Sequence, residues 1–369
     1  MSIKIQDVIN LLEDWAPLSY AEEFDNVGLI VGDKTNALTG VMVTLDTTEA
    51  VVEEAVKNNC NLVVSFHPII FNGLKRLNGT NYVERTVMQA ISHGVAIYAI
   101  HTALDNSIKG VNAAISKQIG LEDRKILIPK SDVLKKLITY VPSNDAEKLR
   151  NALFAAGAGH IGIYDRCSFN SSGTGTFRAN SGANPTVGEI GIEHRESEIK
   201  LEVIVPVHLQ HKIVKIMLET HPYEEVAYDL IPLDNKRNDI GMGMIGSLPQ
   251  SLSQMEFLDL LDAKFNCQQI RYTDCKKSQI SKVAVLGGSG SFAISNAKAS
   301  GADAFVTSDL KYHDFFQAEN DILLVDIGHF ESEQFTKNLI ADYLKEKMPN
   351  FAILLTVINT NPVRYYKHG

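Results

Sequence analysis

The spacing of apolar and polar residues divides the chain into three stretches. An opening segment with apolar residues at helical spacing predicts an amphipathic helix over 5–13. The run GVMVTLDTTEAVVEEAVKNNCNLVVSFHP then reads strand, helix, strand, over 41–45, 48–58 and 62–65. A helix near 82–93 leads into VAIYAI at 95–100, an unbroken apolar run of the kind that a parallel sheet buries on both faces. The C-terminal stretch repeats this alternation. KVAVLGG and AFVTS read as strands flanking a helix over 292–299, followed by the strand LLVDIG, one long helix through HFESEQFTKNLIADYLKEK, and the strand FAILLTVI. Both ends therefore predict α/β structure on a mostly parallel sheet.

Between them the pattern repeats itself. At a shift of 64 positions, Val141-Pro142 falls on Val205-Pro206 and Tyr164-Asp165 on Tyr228-Asp229. Each copy reads as a strand ending in Val-Pro, a helix, a short turn and a strand: KLITYVP, 146–155 and HIGIYD, then KLEVIVP, 209–219 and EVAYDLIPL. With a further strand near 189–193, the two copies predict a βαββαβ sandwich of about one hundred residues inserted into the α/β frame. The Gly/Ser/Asn-rich segment 169–188 predicts a mobile loop or a plain hairpin connection within it.

At 369 residues the chain exceeds what one hydrophobic core usually organises, which fits such a divided plan. A net charge of −9 argues against broad binding to nucleic acid or to an anionic membrane. No apolar run approaches a membrane span, and the opening MSIKIQDVINLLEDW has acidic residues where a signal peptide needs a basic region followed by a long apolar one, so a cytoplasmic location is expected. Cys60, Cys167, Cys267 and Cys275 lie far apart and suggest neither a disulfide framework nor a thiolate metal site. Any bound metal must then rest on histidines and carboxylates.

His67 directly follows the 62–65 strand, and Asp105 follows the 95–100 strand within HTALDN. Open α/β sheets build their sites at the carboxyl ends of strands, where both residues fall. In GHFESE, His329 stands at a strand-to-helix junction with Glu333 four residues on. If the helix starts at once, imidazole and carboxylate share a face and can grip one ion or two neighbouring ions. Such ligands suit Zn²⁺, Mn²⁺ or Fe²⁺, and a carboxylate bridging two ions is the usual core of a two-metal hydrolytic site. The alternative for each histidine taken singly is a helix cap or a satisfied polar group.

Asp25, Asn26, Asp46, His313 and Asp314 are candidates to line the site or to orient its histidines, with capping the alternative. The LGGSGS segment, 286–291, joins a strand to a helix and reads as a phosphate cradle or a tight turn, without the spacing of a Walker loop. His221, Tyr223, Glu224 and Glu225 read as a turn packed on the repeat. No catalytic residue is assigned; Glu331, His101 and His313 are the candidate proton donors and acceptors.

Six blocks in order, WAPLSYAEEFDNVGLIVGD, LDTTEAVVEEA, FHPIIF, HTALDN, TSDLKYHD and DIGHFESE, together resemble the GTP cyclohydrolase I type 2 family, also called NIF-three-like. The resemblance runs nearly end to end. HPYEEVAYDL, with the central repeat, is similar to the extra PII-like and CutA-like module, of ferredoxin type, in longer bacterial members. The resemblance implies two α/β lobes, 1–129 and 235–369, forming one split domain around an inserted α+β domain at 130–234. It implies a di-metal centre, with zinc as the ion, in a cavity between the lobes. By the motif, His67, Asp105 and Glu333 hold one ion, and His329 with the shared Glu333 holds the second. It further implies a small-molecule, nucleotide substrate attacked at C8 of a guanine ring, and a homo-oligomer, trimer or hexamer. A non-enzymatic, metal-binding scaffold whose insertion binds an effector or partner is the alternative. One position departs: the family pattern has two consecutive histidines where this chain has Phe66-His67, and phenylalanine cannot ligate. Water or a neighbour such as His101 would then complete the second site.

Overall fold

The computed structural model describes residues 3–366. The chain forms two compact units, Met1–Lys130 with Asn238–Gly369, and Ser131–Arg237.

The first unit contains two mixed sheets. One has the order β1-β4-β3-β2-β15, from β1 (Gly28–Val31), β2 (Val41–Thr44), β3 (Leu62–Ser65), β4 (Ala96–Ala99) and β15 (Ile353–Leu355). All its neighbours run parallel except β1, which is antiparallel to β4. The other has the order β11-β14-β13-β12-β10-β5 and comprises β5 (Glu122–Lys130), β10 (Arg237–Leu252), β11 (Arg271–Tyr272), β12 (Ile280–Ser289), β13 (Ala304–Ser308) and β14 (Leu323–Asp326). Its centre, β12-β13-β14, is parallel.

The apolar runs lack polar alternation because both faces of each strand are covered. Val41, Val43, Leu62, Val64, Ala96 and Tyr98 face one large core, and so do Val283, Val285, Val306 and Val325 of the second sheet. The intervening Met42, Val63 and Ile97 pack instead beneath α2 (Glu49–Lys57) and α3 (Tyr82–Ser92). Ala284, Phe305 and Leu324 likewise meet α9 (Ile294–Ala299). Period-two side chains on a strand thus feed two cores. The shared core is filled by α1 (Ile5–Trp15), α5 (Val111–Ile119), α8 (Gln254–Phe265) and α11 (Thr336–Lys347). On α1 the buried positions are Ile5, Val8, Ile9 and Leu12, the stripe that its sequence predicts. Caps fix the starts of three helices: Thr48 accepts from Val51 N–H, Asn81 from Glu84 N–H, and Ser253 forms a capping box with Glu256.

Two helices are very short. α4 (His101–Asp105) follows β4, and α10 (His329–Glu333) follows β14. The single long C-terminal helix expected from the sequence is therefore two, α10 and α11, separated at Gln334–Phe335. The closing strand is also shorter than FAILLTVI, pairing only over Ile353–Leu355.

The second unit is a four-stranded antiparallel sheet, β7-β8-β6-β9, from β6 (Leu134–Pro142), β7 (Ser168–Arg178), β8 (Glu193–Pro206) and β9 (Tyr228–Leu233). Helices α6 (Ala146–Ala155) and α7 (Gln210–Thr220) pack on it through Leu149, Leu153, Ile213 and Met217. Three expectations fail here. HIGIYD is no strand: Gly157, Gly159 and Gly162 all adopt positive φ, and the segment curls into a turn closed by an Ile161–Tyr164 bridge. The mobile loop expected at 169–188 is strand as far as Arg178, and the hairpin alternative is the one that holds: β7 and β8 connect over 179–192, and the polar β7 borrows its order from β8, pairing from Ser168–Val203 to Arg178–Glu193. Strand structure predicted at 189–193 begins only at Glu193. His221 is a buried structural residue; Nε2–H donates to Tyr140 O at 3.0 Å and Nδ1 accepts Tyr223 N–H at 3.1 Å. No helix among the described residues is long and apolar enough to cross a membrane.

Candidate metal centre

The carboxyl ends of the parallel strands carry the candidate residues. Asp46 lies beyond β2, His67 beyond β3, and His101 opens α4 beyond β4; on the second sheet Asp309 follows β13 and His329 opens α10 beyond β14. His67 Nε2 lies 3.2 Å and His329 Nε2 3.1 Å from the same oxygen, Oε2 of Glu333. One ligand atom from each of these three residues falls within 4.8 Å of the others. The helix starts at once after the strand, so His329 and Glu333 share a face as their spacing predicts.

Asp105 does not join the three at mutual ligand range. It is nevertheless buried, and its Oδ1 has no hydrogen-bond partner. Glu333 Oε2 is also buried without a hydrogen bond, despite its nearness to two imidazole nitrogens. Buried carboxylate oxygens without hydrogen bonds are costly unless something else satisfies them. Burial and the neighbouring Glu333 push the Asp105 carboxyl well above its usual range. Burial works in the same direction on Glu333, but His329 and His67 outweigh it and hold that carboxyl well below the usual range.

Each imidazole is clamped from behind. Nδ1–H of His67 donates to Asp46 Oδ1 at 2.8 Å, that of His329 to Asp309 Oδ2 at 2.6 Å, and that of His101 to Asp25 Oδ1 at 2.9 Å. Each aspartate also accepts a hydroxyl, from Thr360, Ser289 and Thr102 respectively. Burial pulls the His67 pKa down, but Asp46 and Glu333 raise it to about 10. For His329 burial is likewise overcome, by Asp309 and Glu333, giving about 11. Against its burial, His101 and Thr102 draw Asp25 down to about 2. A carboxylate on Nδ1 that leaves Nε2 facing outward is how proteins orient metal-binding histidines. Clamped imidazoles, a carboxylate between them and orphaned oxygens together fit a divalent transition ion.

Glycines shape the wall. A Cβ at Gly288, where φ is +68°, would stand 2.4 Å from Glu333 Oε1, and one at Gly328, at φ +94°, would stand 2.3 Å from Glu331 Oε2. The LGGSGS segment is thus a turn that makes room for carboxylates. Two of its amides are already used, Gly287 N–H by Asn112 Oδ1 and Gly288 N–H by Ser332 Oγ, each at 3.0 Å, and are withdrawn from any phosphate.

Phe66 is fully buried in the shared core, its ring centroid 4.9 Å from His67 and 5.3 Å from His101. Beside the cluster opens a cavity of about 410 Å³, lined among others by His67, Asp46, His329, Asp309, Arg271 and Tyr365. That volume suits a small molecule. Arg271 is braced by the Asp326 carboxylate and by Leu310 O at 2.9 Å, with its guanidinium over the Phe315 ring. Glu331 is buried and lines this cavity, whereas His313 is exposed, edge-on to Tyr312 and tilted against Phe316. Sequence reasoning passed over Asp309, Arg271 and Tyr365. Asp309 had a signal, its place directly after a strand, like that of Asp46.

Comparison with known proteins gives a consistent result. The chain is 38% identical over 365 residues to a GTP cyclohydrolase 1 type 2 homolog of Halalkalibacterium halodurans, covering 98% of each chain. It is 35% identical over 369 residues to the protein of the same description from Bacillus subtilis, covering 99% of each. Among solved structures, a Bacillus cereus protein related to NIF3 superposes with a TM-score of 0.85 at 36% identity, over 99% of this chain and all of that one. A family model matches residues 3–362, and the chain belongs to the Duf34/NIF3 (NGG1p interacting factor 3) family.

Proposed function

We propose that this protein binds up to two zinc ions per subunit through His67, Asp105, His329 and Glu333, and uses them to hydrolyse a small-molecule, nucleotide substrate. The observation that carries this reading is the buried, unpartnered Asp105 Oδ1 together with the buried Glu333 Oε2, which two imidazoles clamped through Nδ1 approach at ion-pair distance without a hydrogen bond. A divalent cation held there supplies Lewis acidity and brings the ionisation of water into the neutral range. The chain's own part is orientation. Asp46 and Asp309 fix the imidazoles, Glu333 sits between them, and the core around Phe66 keeps the inner side dry. In the adjoining cavity, Arg271 offers a braced cation to an anionic group such as phosphate. The description of the relatives as GTP cyclohydrolase 1 type 2 homologs supports a guanine nucleotide as the substrate class.

The same reading divides the chain at 129/130 and 234/235 and makes the middle domain ferredoxin-like. Its support is the βαββαβ order with all four strands antiparallel, the arrangement of that fold. Assembly as a homo-trimer or hexamer in the cytoplasm completes it, on the resemblance of the six sequence blocks.

A non-enzymatic regulatory scaffold is the second reading. What favours it is a cavity of about 760 Å³ in the middle unit, framed by Tyr140, Phe177, Glu198 and Tyr223. Metal analysis and a nucleotide-hydrolysis screen of the intact protein and of Glu333→Ala separate the two. Bound zinc and turnover that are both lost in the variant support the hydrolase. Zinc without turnover of any nucleotide, lost equally in the variant, supports the scaffold. Unchanged metal in Glu333→Ala removes Glu333 from the site.

A further inference from the structure

Two segments of the chain are built alike. HTALD follows β4 and HFESE follows β14, and each is a five-residue helix with histidine first and a carboxylate four residues on. That spacing sets both side chains on one helical face. In α10 the pair converges, His329 Nε2 lying 3.1 Å from Glu333 Oε2. The histidine of α4 is also clamped as that of α10 is. His101 Nδ1 is held by Asp25 and His329 Nδ1 by Asp309, and a hydroxyl braces each aspartate.

A histidine that merely caps a helix has no use for this construction. A clamp on Nδ1 fixes the tautomer that leaves the lone pair on Nε2, which is what a cation requires. His101 Nε2 has no hydrogen-bond partner among the described residues. The His101 ring centroid lies 5.1 Å from that of His67, one of the three clustered residues, although neither His101 nor Asp105 is at mutual ligand range with those three. Asp105, its partner four residues on, is more than nine-tenths buried with Oδ1 unsatisfied. Asp25 itself is spent, since Oδ1 also accepts Asn26 N–H and Oδ2 accepts both Thr102 N–H and its hydroxyl.

We propose that His101 is a further cation ligand of this centre, donating Nε2 beside Asp105 from the same helical turn. This rests on the metal-binding reading above and adds to it a third imidazole. It gives the side of the centre next to Phe66, whose ring cannot ligate, a nitrogen donor of its own.

The test uses the full chain and zinc alone. Crystals of the unmodified protein grown with excess zinc, mapped by anomalous diffraction at the zinc edge, should place an ion at His101 Nε2. Titration against a competing chelator, at a temperature where the chelator-treated variants are still folded, should find that His101→Gln weakens at least one zinc equivalent by about 100-fold and Asp25→Asn by about 10-fold. Zinc on His67, His329 and Glu333 with none on His101, and His101→Gln affinities within about twofold of the unmodified protein, would overturn the proposal and leave the metal-binding reading standing. An unmodified protein that takes up no zinc would remove both. If His101→Gln fails to fold, the anomalous map of the unmodified protein decides alone.

Discussion

Loading this centre with a cation must expel protons. In the metal-free chain His67 sits between Asp46 at 2.8 Å and Glu333 at 3.2 Å, and His329 between Asp309 at 2.6 Å and Glu333 at 3.1 Å. Although burial opposes them, these carboxylates lift the two imidazoles to about 10 and about 11. In the metal-free chain this favours the protonated rings, so a cation must displace protons to reach the nitrogens. An ion taking both nitrogens should release roughly two protons, so its apparent affinity should rise about 100-fold per pH unit from about pH 7 to 9. Calorimetric zinc titrations at pH 8, in buffers of different ionisation enthalpy, read the proton count directly. Asp46→Asn should lower that count, since it removes one of the two charges that keep His67 protonated. The same linkage acts on the metal-free fold. Folded pKa values above the unfolded value of about 6.5 stabilise it fully below that pH, and the benefit is lost as pH rises through about 10 to 11. A release of less than about half a proton, or an affinity flat from pH 7 to 9, would refute the assignment of both imidazoles to the ion.

Two substitutions probe the surroundings. Gly288→Ala places a Cβ 2.4 Å from Glu333 Oε1 at a φ of +68°, and should cost about 1–3 kcal/mol in chemical denaturation and weaken zinc binding; normal stability with intact binding would show that Glu333 is free to move. Phe66→His puts an imidazole into a fully buried core position, and should cost about 1–3 kcal/mol in metal-free protein, with recovery and a tighter second equivalent at saturating zinc. Unchanged stability and stoichiometry would mean that position 66 does not reach the centre.

The most legible part of the fold was the strands that feed two cores. LVVS read as a strand over 62–65 and forms one over Leu62–Ser65, because burial on both faces demands an apolar or small residue at every position. Strands ordered by their partners were not legible. SFNSSGTGTFR is polar and Gly-rich, and nothing in its own residues asks for extension; β8 supplies the pairing. The 16-residue β10 escaped notice for a related reason. Its glycines break the pattern, yet Gly241 is there because a Cβ would stand 2.1 Å from Ile128 O of the adjacent strand.

At the site, the local signals were readable and the distant ones were not. His67, His329 and Glu333 declare themselves by residue type and by position after a strand or on one helical turn. Their clamps lie 21 and 20 residues away from the two histidines, and that of His101 lies 76 away, so no short-range pattern joins them. Sheet order supplies the missing rule. β2 neighbours β3, β13 neighbours β14, and β1 neighbours β4. Asp46 therefore leaves the strand beside that of His67, and Asp309 the strand beside that of His329. Asp25 precedes β1, which runs antiparallel to β4, so it reaches the same edge of the sheet as His101 from the opposite chain direction. Each aspartate stands one strand away from its histidine, the distance at which a carboxylate can reach Nδ1 while Nε2 points off the end of the sheet. Once the strand order is known, an aspartate at the same end of the neighbouring strand is the signal to seek beside every strand-end histidine.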